Sequence, residues 1–495
     1  MLKLAAKIFI INHVVYLFTV VKKVNKSGTS TTGSLARRRF IQAAGTAGVA
    51  SLAGCYGGGG TADVEILGNQ AIAQTFDPAA FHEAGVPEEI SIEITAGPEE
   101  TGARAEEIVT LLDAQQQSPD IFVMDNGWTI PFIVRDSIVN LEAELDSAFV
   151  DQVKSESFEM LVETGSHPDT GELWALPFFP DFPTMQYRKD LFREAGYTDS
   201  EFDRWSTDPP SWETWSAAVA EVHEQSDVDY GYVWQADSYA GLSCCTFNEL
   251  MSGYGGAYFG GLDTLFGPVG DRPVTVSEEP VIEALNVGRD LVTGSDAANQ
   301  DITQCSPTEV FGWSEQQTDG AFVGDTNAVA MRNWVYTIGL AADQFTGDQE
   351  LGVMPMPYGV PEEEARYEGL GGSAAALGGW LIGVNPNTSD LESTLEVVRA
   401  VHSEPVQAEQ LNGPGFLPHE PDYVESLAGD HPSFGEFTET LRLAGDSAVA
   451  RPVTPVWSQQ SQQAYQEIND ALQGRKAPEE AMSELETAFI ELESI

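Results

Sequence analysis

Few side chains in this 495-residue chain stand at spacings that support covalent or metal chemistry. The seven histidines, at positions 13, 82, 167, 223, 402, 419 and 431, never fall into H-E-x-x-H or another local ligand spacing, so no metal and no cofactor is expected. There is no G-x-S-x-G elbow and no S-x-x-K. Acid pairs of the kind that hydrolyse glycosides are compatible with a chain so rich in carboxylates, and for that reason they single out nothing. Of the four cysteines, Cys55 stands alone near the N-terminus, Cys244 and Cys245 are adjacent, and Cys305 follows. In an oxidising compartment Cys305 could pair with either neighbour, closing a loop of about 60 residues; buried free thiols are the alternative. A three-cysteine metal site lacks a nearby histidine. Asp125 stands out by position, because it directly follows the apolar run Ile121–Met124. Open α/β sheets bind ligands at the carboxyl ends of such strands.

The elements that would hold Asp125 are legible in the pattern around it. Val64–Leu67 and the alternating Ile90-Ser91-Ile92-Glu93-Ile94 read as strands. Residues 102–116 place Ala105, Ile108, Val109 and Leu112 on one helical face before Pro119. Strand, helix and strand in this rhythm predict parallel βαβ units. Trp174–Phe182 is apolar but too proline-punctuated for a helix. A helix near Tyr187–Arg193 is expected, with Asp190 as its N-cap and Gly196 as its stop. Pro209-Pro210-Ser211 opens another helix carrying Trp212, Trp215, Val219 and Val222. A last helix starts at Pro478, with Met482, Leu485, Phe489 and Leu492 on one face.

Charge limits the possible partners. The chain carries 24 Lys+Arg against 77 Asp+Glu, a formal net charge of −53. Eight of the basic residues and none of the acids fall in the first 55 positions, so residues 56–495 hold 16 against 77, or −61. The only lysines beyond Cys55 are Lys154, Lys189 and Lys476. Nucleic acid is excluded as a partner, because phosphate contacts need a basic stripe. In dilute buffer such a surface repels itself. At molar salt the Debye length falls to about 3 Å and the repulsion is screened. Acids spread along the whole chain, with lysine depleted, therefore indicate adaptation to high salt.

The N-terminus carries an address. In residues 37–55, a cluster Arg37-Arg38-Arg39-Phe40-Ile41 precedes a small-residue apolar run ending Leu52-Ala53-Gly54-Cys55. The first string resembles a twin-arginine export motif and the second a lipobox, whose cysteine becomes the lipidated first residue of the mature chain. Residues 1–55 are thus expected to be an export signal, and 56–60 a glycine-rich tether. The apolar stretch Ile8–Val21 is shorter than the ~20 residues a membrane span needs, and an over-extended start is the favoured reading of it.

Five blocks, in order, resemble family 1 extracellular solute-binding proteins, the maltose- and trehalose-binding proteins of ABC importers. They are Ser118-Pro-Asp-Ile-Phe-Val-Met-Asp125; Gly171–Gly196, with Tyr187-Arg-Lys-Asp-Leu191 and the following Pro209-Pro-Ser-Trp-Glu-Thr-Trp215; Asp319-Gly320 with Ala330-Met-Arg-Asn-Trp-Val-Tyr336; Gly378-Gly-Trp-Leu-Ile-Gly-Val384; and Arg451-Pro-Val-Thr-Pro455. The chain departs from the pattern at Val335, where proline is usual, and at Asp319, where phenylalanine is usual. With its N-terminus it is most similar to a haloarchaeal-type lipoprotein of this family.

The resemblance implies an α/β fold of the type II periplasmic-binding-protein kind, with two lobes joined by crossing strands. Residues 61–178 and 378–412 should build lobe 1, and 182–360 and 416–495 lobe 2. It implies a mono- or disaccharide ligand, trehalose or maltose being the best candidates, an ABC permease as membrane partner, and a monomer anchored by lipid on the extracytoplasmic face. Asp125 and Trp380 would face the sugar from one lobe, and Glu249, Trp334 and Arg451 from the other, with Asp181 in the first crossover. The indoles would stack on flat pyranose faces, and the acids and the guanidinium would pair with hydroxyls. Two other readings are a secreted carbohydrate-active hydrolase and a binding protein for a different small solute. A cell-surface adhesin would show repeats or Thr-rich stalks, which the sequence lacks.

Overall fold

The alternating segment at residues 90–94 and the apolar run ending at Asp125 become neighbours of one central strand. In this computed structural model the described residues are 62–98, 101–294, 302–429 and 431–494, all within the unit Gly59–Ile495. The export signal, Cys55 and the tether lie outside them. Eleven strands occur among the described residues: β1 (Val64–Gly68), β2 (Ile92–Ala96), β3 (Ile121–Asp125), β4 (Leu176–Asp181), β5 (Pro183–Arg188), β6 (Tyr230–Val233), β7 (Ala328–Trp334), β8 (Leu351–Met354), β9 (Ala375–Ala376), β10 (Gly378–Val384) and β11 (Ala448–Val449).

Two sheets divide them. The first has the order β2-β1-β3-β10-β4, with β1 parallel to β2 and β3, and β10 antiparallel to β3 and β4. The second has the order β6-β7-β5-β8. Only Phe182 separates β4 from β5, so the chain steps from one sheet to the other across a single buried residue. It returns between β8 and β10, where β9 pairs in parallel with β11 as a two-stranded ribbon. This is a two-lobed α/β fold, each lobe built on its own sheet.

Each lobe buries helices against its sheet. The helix Thr101–Asp113 sets Ile108 and Leu111 in the first core. The second core is aromatic: Phe192 and Trp215 stack with centroids 5.4 Å apart, and Tyr187 and Trp205 meet them edge-on. Deleting a buried aromatic of this size costs about 3–5 kcal/mol, so these rings hold the lobe together. Ser211 caps the helix Trp212–Gln225 by accepting from the Thr214 N–H at 3.3 Å. The last helix, Pro478–Glu493, buries Met482, Leu485 and Phe489.

One local expectation is corrected, and of the two readings of Cys305 the buried free thiol is the one found. Asp190 is not an N-cap: the helix begins at Lys189, and Asp190 in its first turn accepts from Arg188 Nε at 2.9 Å and Nη2 at 2.5 Å. The neighbouring guanidinium and the Glu350 N–H, at 3.2 Å, take the carboxylate in place of the helix's own N–H groups. Cys305 joins neither partner; Cys244 and Cys245 are bonded to each other, and Cys305 is a buried free thiol. The adjacent pair packs with Ala376 against Trp334, while Cys305 lies in the large second core.

Candidate functional site

Asp125 ends β3, and its backbone position in the ladder is opposite Trp380 on β10. Its carboxylate is held on three sides. Oδ1 accepts from the Gly127 N–H at 2.7 Å, Oδ2 accepts from Thr101 Oγ1 at 3.1 Å, and Arg451 Nη2 lies 3.0 Å from Oδ1. Arg451 also donates to Asn126 Oδ1 at 2.6 Å, and Asn126 in turn donates to the Gly378 carbonyl. Gly127 leaves the room for this: a Cβ there would lie 2.7 Å from Arg451 Cζ.

Arg451 follows β11 on a segment that bridges the lobes. Ala450 accepts from Asn248 of the second lobe, while Val453 sits in the core of the first. The arginine therefore does not face Asp125 across a ligand-sized gap, as the sequence suggested, but touches it. Its Nε, also buried, has no partner among the described residues.

Glu249 needs a second correction. Both of its oxygens take Arg332, at 2.7 and 2.9 Å, and the Ala376 N–H approaches at 3.4 Å. The pair is fully buried, so Glu249 does not present an acid to the cleft. Burial pushes its carboxyl up even with Arg332 beside it. Its effect is indirect, because the guanidinium it orients lies 4.6 Å over the Trp334 ring. Gln235 Oε1 accepts from Arg332 Nη1 at 2.9 Å and fixes the other end of the fork.

Around this buried base lies a ring of half-buried groups. Trp334 ends β7 and packs against Gly378, where a Cβ would come within 2.8 Å of the indole. Trp334 Nε1 donates to Glu315 at 3.4 Å, and Tyr239 donates to the same oxygen at 2.7 Å. Tyr336 donates to Asp319 at 2.9 Å, and Asn333 does so at 2.5 Å. Asp181, at the end of β4, lies opposite Gly378 in the ladder. Burial pushes its carboxyl up to about 8 despite Arg332, with Asp125 and Glu315 adding to the rise. Asp319 is pushed up to about 7, chiefly by burial. Trp380 stacks on Phe179 and lies beneath the Arg104 guanidinium, 4.5 Å from its centroid.

The structure thus gathers Asp125, Asp181, Trp334, Trp380 and Arg451 around Gly378, with Glu249 one layer behind. It adds Glu315, Asp319, Tyr239 and Tyr336, which sequence reasoning missed. Asp319 carried a signal, since it replaces the phenylalanine expected there; Glu315 and Tyr239 carried none. A small void lies elsewhere, among Ile66, Phe76, Phe81, Phe178 and Ile382 in the first core, and is too apolar to hold a hydroxylated ligand. What the ring can do is bind: the half-buried edges of two indoles whose rings already carry Phe179, Arg104 and Arg332, acids held toward their neutral form for donating as well as accepting, and two guanidinium groups neutralised by their own partners.

A probable ABC transporter-binding protein of Deinococcus radiodurans is 24% identical over 417 residues, which are 80% of this chain and 85% of that protein. Among solved structures, the maltose-bound MalE3 of T. maritima superposes with a TM-score of 0.66 at 22% identity, covering 86% of this chain and 98% of its own. The GacH receptor of Streptomyces glaucescens, solved unliganded and with acarbose, gives 0.64 at 20% identity, covering 87% and 98%. At these identities the structures speak for the fold. Residues 70–408, well over half of the chain, match the family described as bacterial extracellular solute-binding protein. The chain belongs to that family, and is a binding protein rather than an enzyme.

Proposed function

We propose that this chain is the extracytoplasmic binding subunit of an ABC importer, anchored by lipid on Cys55, and that it captures a neutral disaccharide of the trehalose or maltose kind and delivers it to the permease. The observation that carries the reading is the half-buried ring of Trp334, Trp380, Asp181, Glu315, Asp319, Tyr239 and Tyr336 around the buried Glu249–Arg332 pair, with Asp125 and Arg451 joined to it through Trp380 and Gly378. A pyranose offers C–H faces to indoles and hydroxyls that both donate and accept. Arg451 is balanced by Asp125 and Arg332 by Glu249, so neither of these guanidinium groups needs an anionic ligand. The carboxyls of Asp181 and Asp319, held toward neutrality, suit hydroxyl partners better than ionic ones. Relatives of the same fold were solved with maltose and with acarbose, which supports a carbohydrate for this cleft. High-salt habitat and lipid anchoring rest on the sequence: the −61 of residues 56–495 and the Arg37–Cys55 layout.

Thermal scanning at molar salt against a panel of sugars tests the reading. Ligand at a hundred times Kd adds about 2.7 kcal/mol of stability. Trehalose or maltose should raise Tm and glucose 6-phosphate should not. A panel in which only a cationic solute raises Tm would assign the acids of the ring to a different cargo.

A further inference from the structure

Outside this ring, three buried side chains converge: the adjacent His419 and Glu420, and His402 seventeen positions before His419. His402 Nδ1 lies 2.9 Å from His419 Nε2, and Glu420 Oε1 lies 3.4 Å from the first and 3.9 Å from the second. The outer face of each imidazole fixes its tautomer. His419 Nδ1 is 3.0 Å from the Phe178 carbonyl, which can only accept, so that nitrogen carries the proton. His402 Nε2 is 3.2 Å from Glu156 Oε2, and a proton on that nitrogen makes the hydrogen bond. Both inner nitrogens are then bare lone pairs, facing each other and a carboxylate oxygen. Among the described residues, Gln407 Nε2 donates to this carboxylate, at 2.5 Å from Glu420 Oε1. Three acceptors at such distances repel unless a proton or a metal cation lies between them.

We propose that His402, His419 and Glu420 bind one divalent transition-metal ion, zinc fitting best, as a structural site. Tetrahedral zinc, with ligands at about 2.0–2.1 Å, sets neighbouring ligand atoms about 3.3 Å apart. The three observed separations of 2.9, 3.4 and 3.9 Å bracket that spacing. The outer contacts are those that metal-binding histidines use: a carboxylate on one ring and a backbone carbonyl on the other. Glu156, whose side chain is 46% exposed, stands at the rim and gives access. The ion would tie the turn ahead of helix Glu404–Asn412 to the return segment at His419–Glu420, and through His419 to Phe178 on β4. Water completes the fourth position. The site is independent of the sugar reading and serves the rigidity of the return segment.

The test uses the whole exported chain, stripped with a chelator, loaded with one equivalent of zinc in molar NaCl, and desalted. Elemental analysis should find close to one zinc per chain. His402→Gln and His419→Gln should retain roughly a tenth or less, while Glu156→Gln should weaken binding by about 10–100-fold without abolishing it. Cobalt bound to the native protein should show the intense visible bands of a four-coordinate site, a readout that does not depend on any variant folding. Native protein that takes up no zinc would mean that a proton bridges the three groups, and would overturn the proposal. Equal zinc in both histidine variants, or a weak octahedral cobalt spectrum, would do the same by assigning the metal to the acidic surface. Sugar affinity measured on the same samples keeps this outcome separate from that of the cleft.

Discussion

Replacing Arg451 with alanine probes the cleft most directly. The side chain makes two close contacts through Nη2, to Asn126 at 2.6 Å and to Asp125 at 3.0 Å, and buries an Nε with no protein partner among the described residues. Removing one member of a buried ion pair generally costs about 3–5 kcal/mol. Here Asp125 would keep the Gly127 N–H and Thr101 Oγ1, so the stability loss should lie nearer 2 kcal/mol, in line with losing one charge-assisted hydrogen bond. Binding should suffer more. The variant loses a donor to the sugar and also the tie between the bridging segment and the end of β3, so the ligand must order both. A loss of about 2–4 kcal/mol raises Kd about 30- to 700-fold. Arg451→Lys should recover only part, because an ammonium cannot reproduce the planar fork. Gly127→Ala approaches the same contact from β3: its Cβ would press on the guanidinium and should weaken binding in the same direction. The assay is calorimetry with maltose and trehalose at molar salt, with Tm recorded for each variant. Arg451→Ala binding within threefold of the native protein would refute the role given to this residue.

Other outcomes are equally open to measurement. Asp181 and Asp319 have folded-state values of about 8 and 7, above the ordinary carboxylate range. The native state therefore holds protons that the unfolded chain has released, and stability should fall as pH rises from about 4 to 8. Thermal scans of the native protein and of Asp181→Asn should show a shallower decline in the variant; parallel curves would remove Asp181 from the titration. Dialysis to ~0.1 M monovalent salt should lower Tm as the −61 charge of residues 56–495 loses its screening, whereas a salt-independent Tm would argue against halophilic adaptation. Cys55→Ser should release the protein from membranes into the medium, and full membrane retention would dispose of the lipid anchor.

Much of this protein was legible without coordinates because it rests on short-range physics. Alternation gave β2, the apolar run gave β3 and put Asp125 at its end, and Ser211 and Pro478 marked helix starts. Such features depend on neighbours within a few residues, which the sequence displays directly. Where local rules failed, a closer partner had intervened: Arg188 took Asp190 from its helix, and Cys244 took the neighbouring Cys245 in place of Cys305. The partners of charges were decided only by tertiary structure. With 77 acids for 24 bases, sequence cannot say which carboxylate meets which guanidinium. Arg332 on β7 found Glu249 on the helix Phe247–Gly253, 83 positions earlier, and this withdrew Glu249 from the cleft. Arg451 found Asp125 because the bridging segment folds back across 325 positions to Asn126 beside it. His402, His419 and Glu420 share one point because the chain turns, runs through a helix and returns. Electrostatic and coordination energies fall off over a few ångströms, so they are set by where the crossings place each side chain rather than by spacing along the chain.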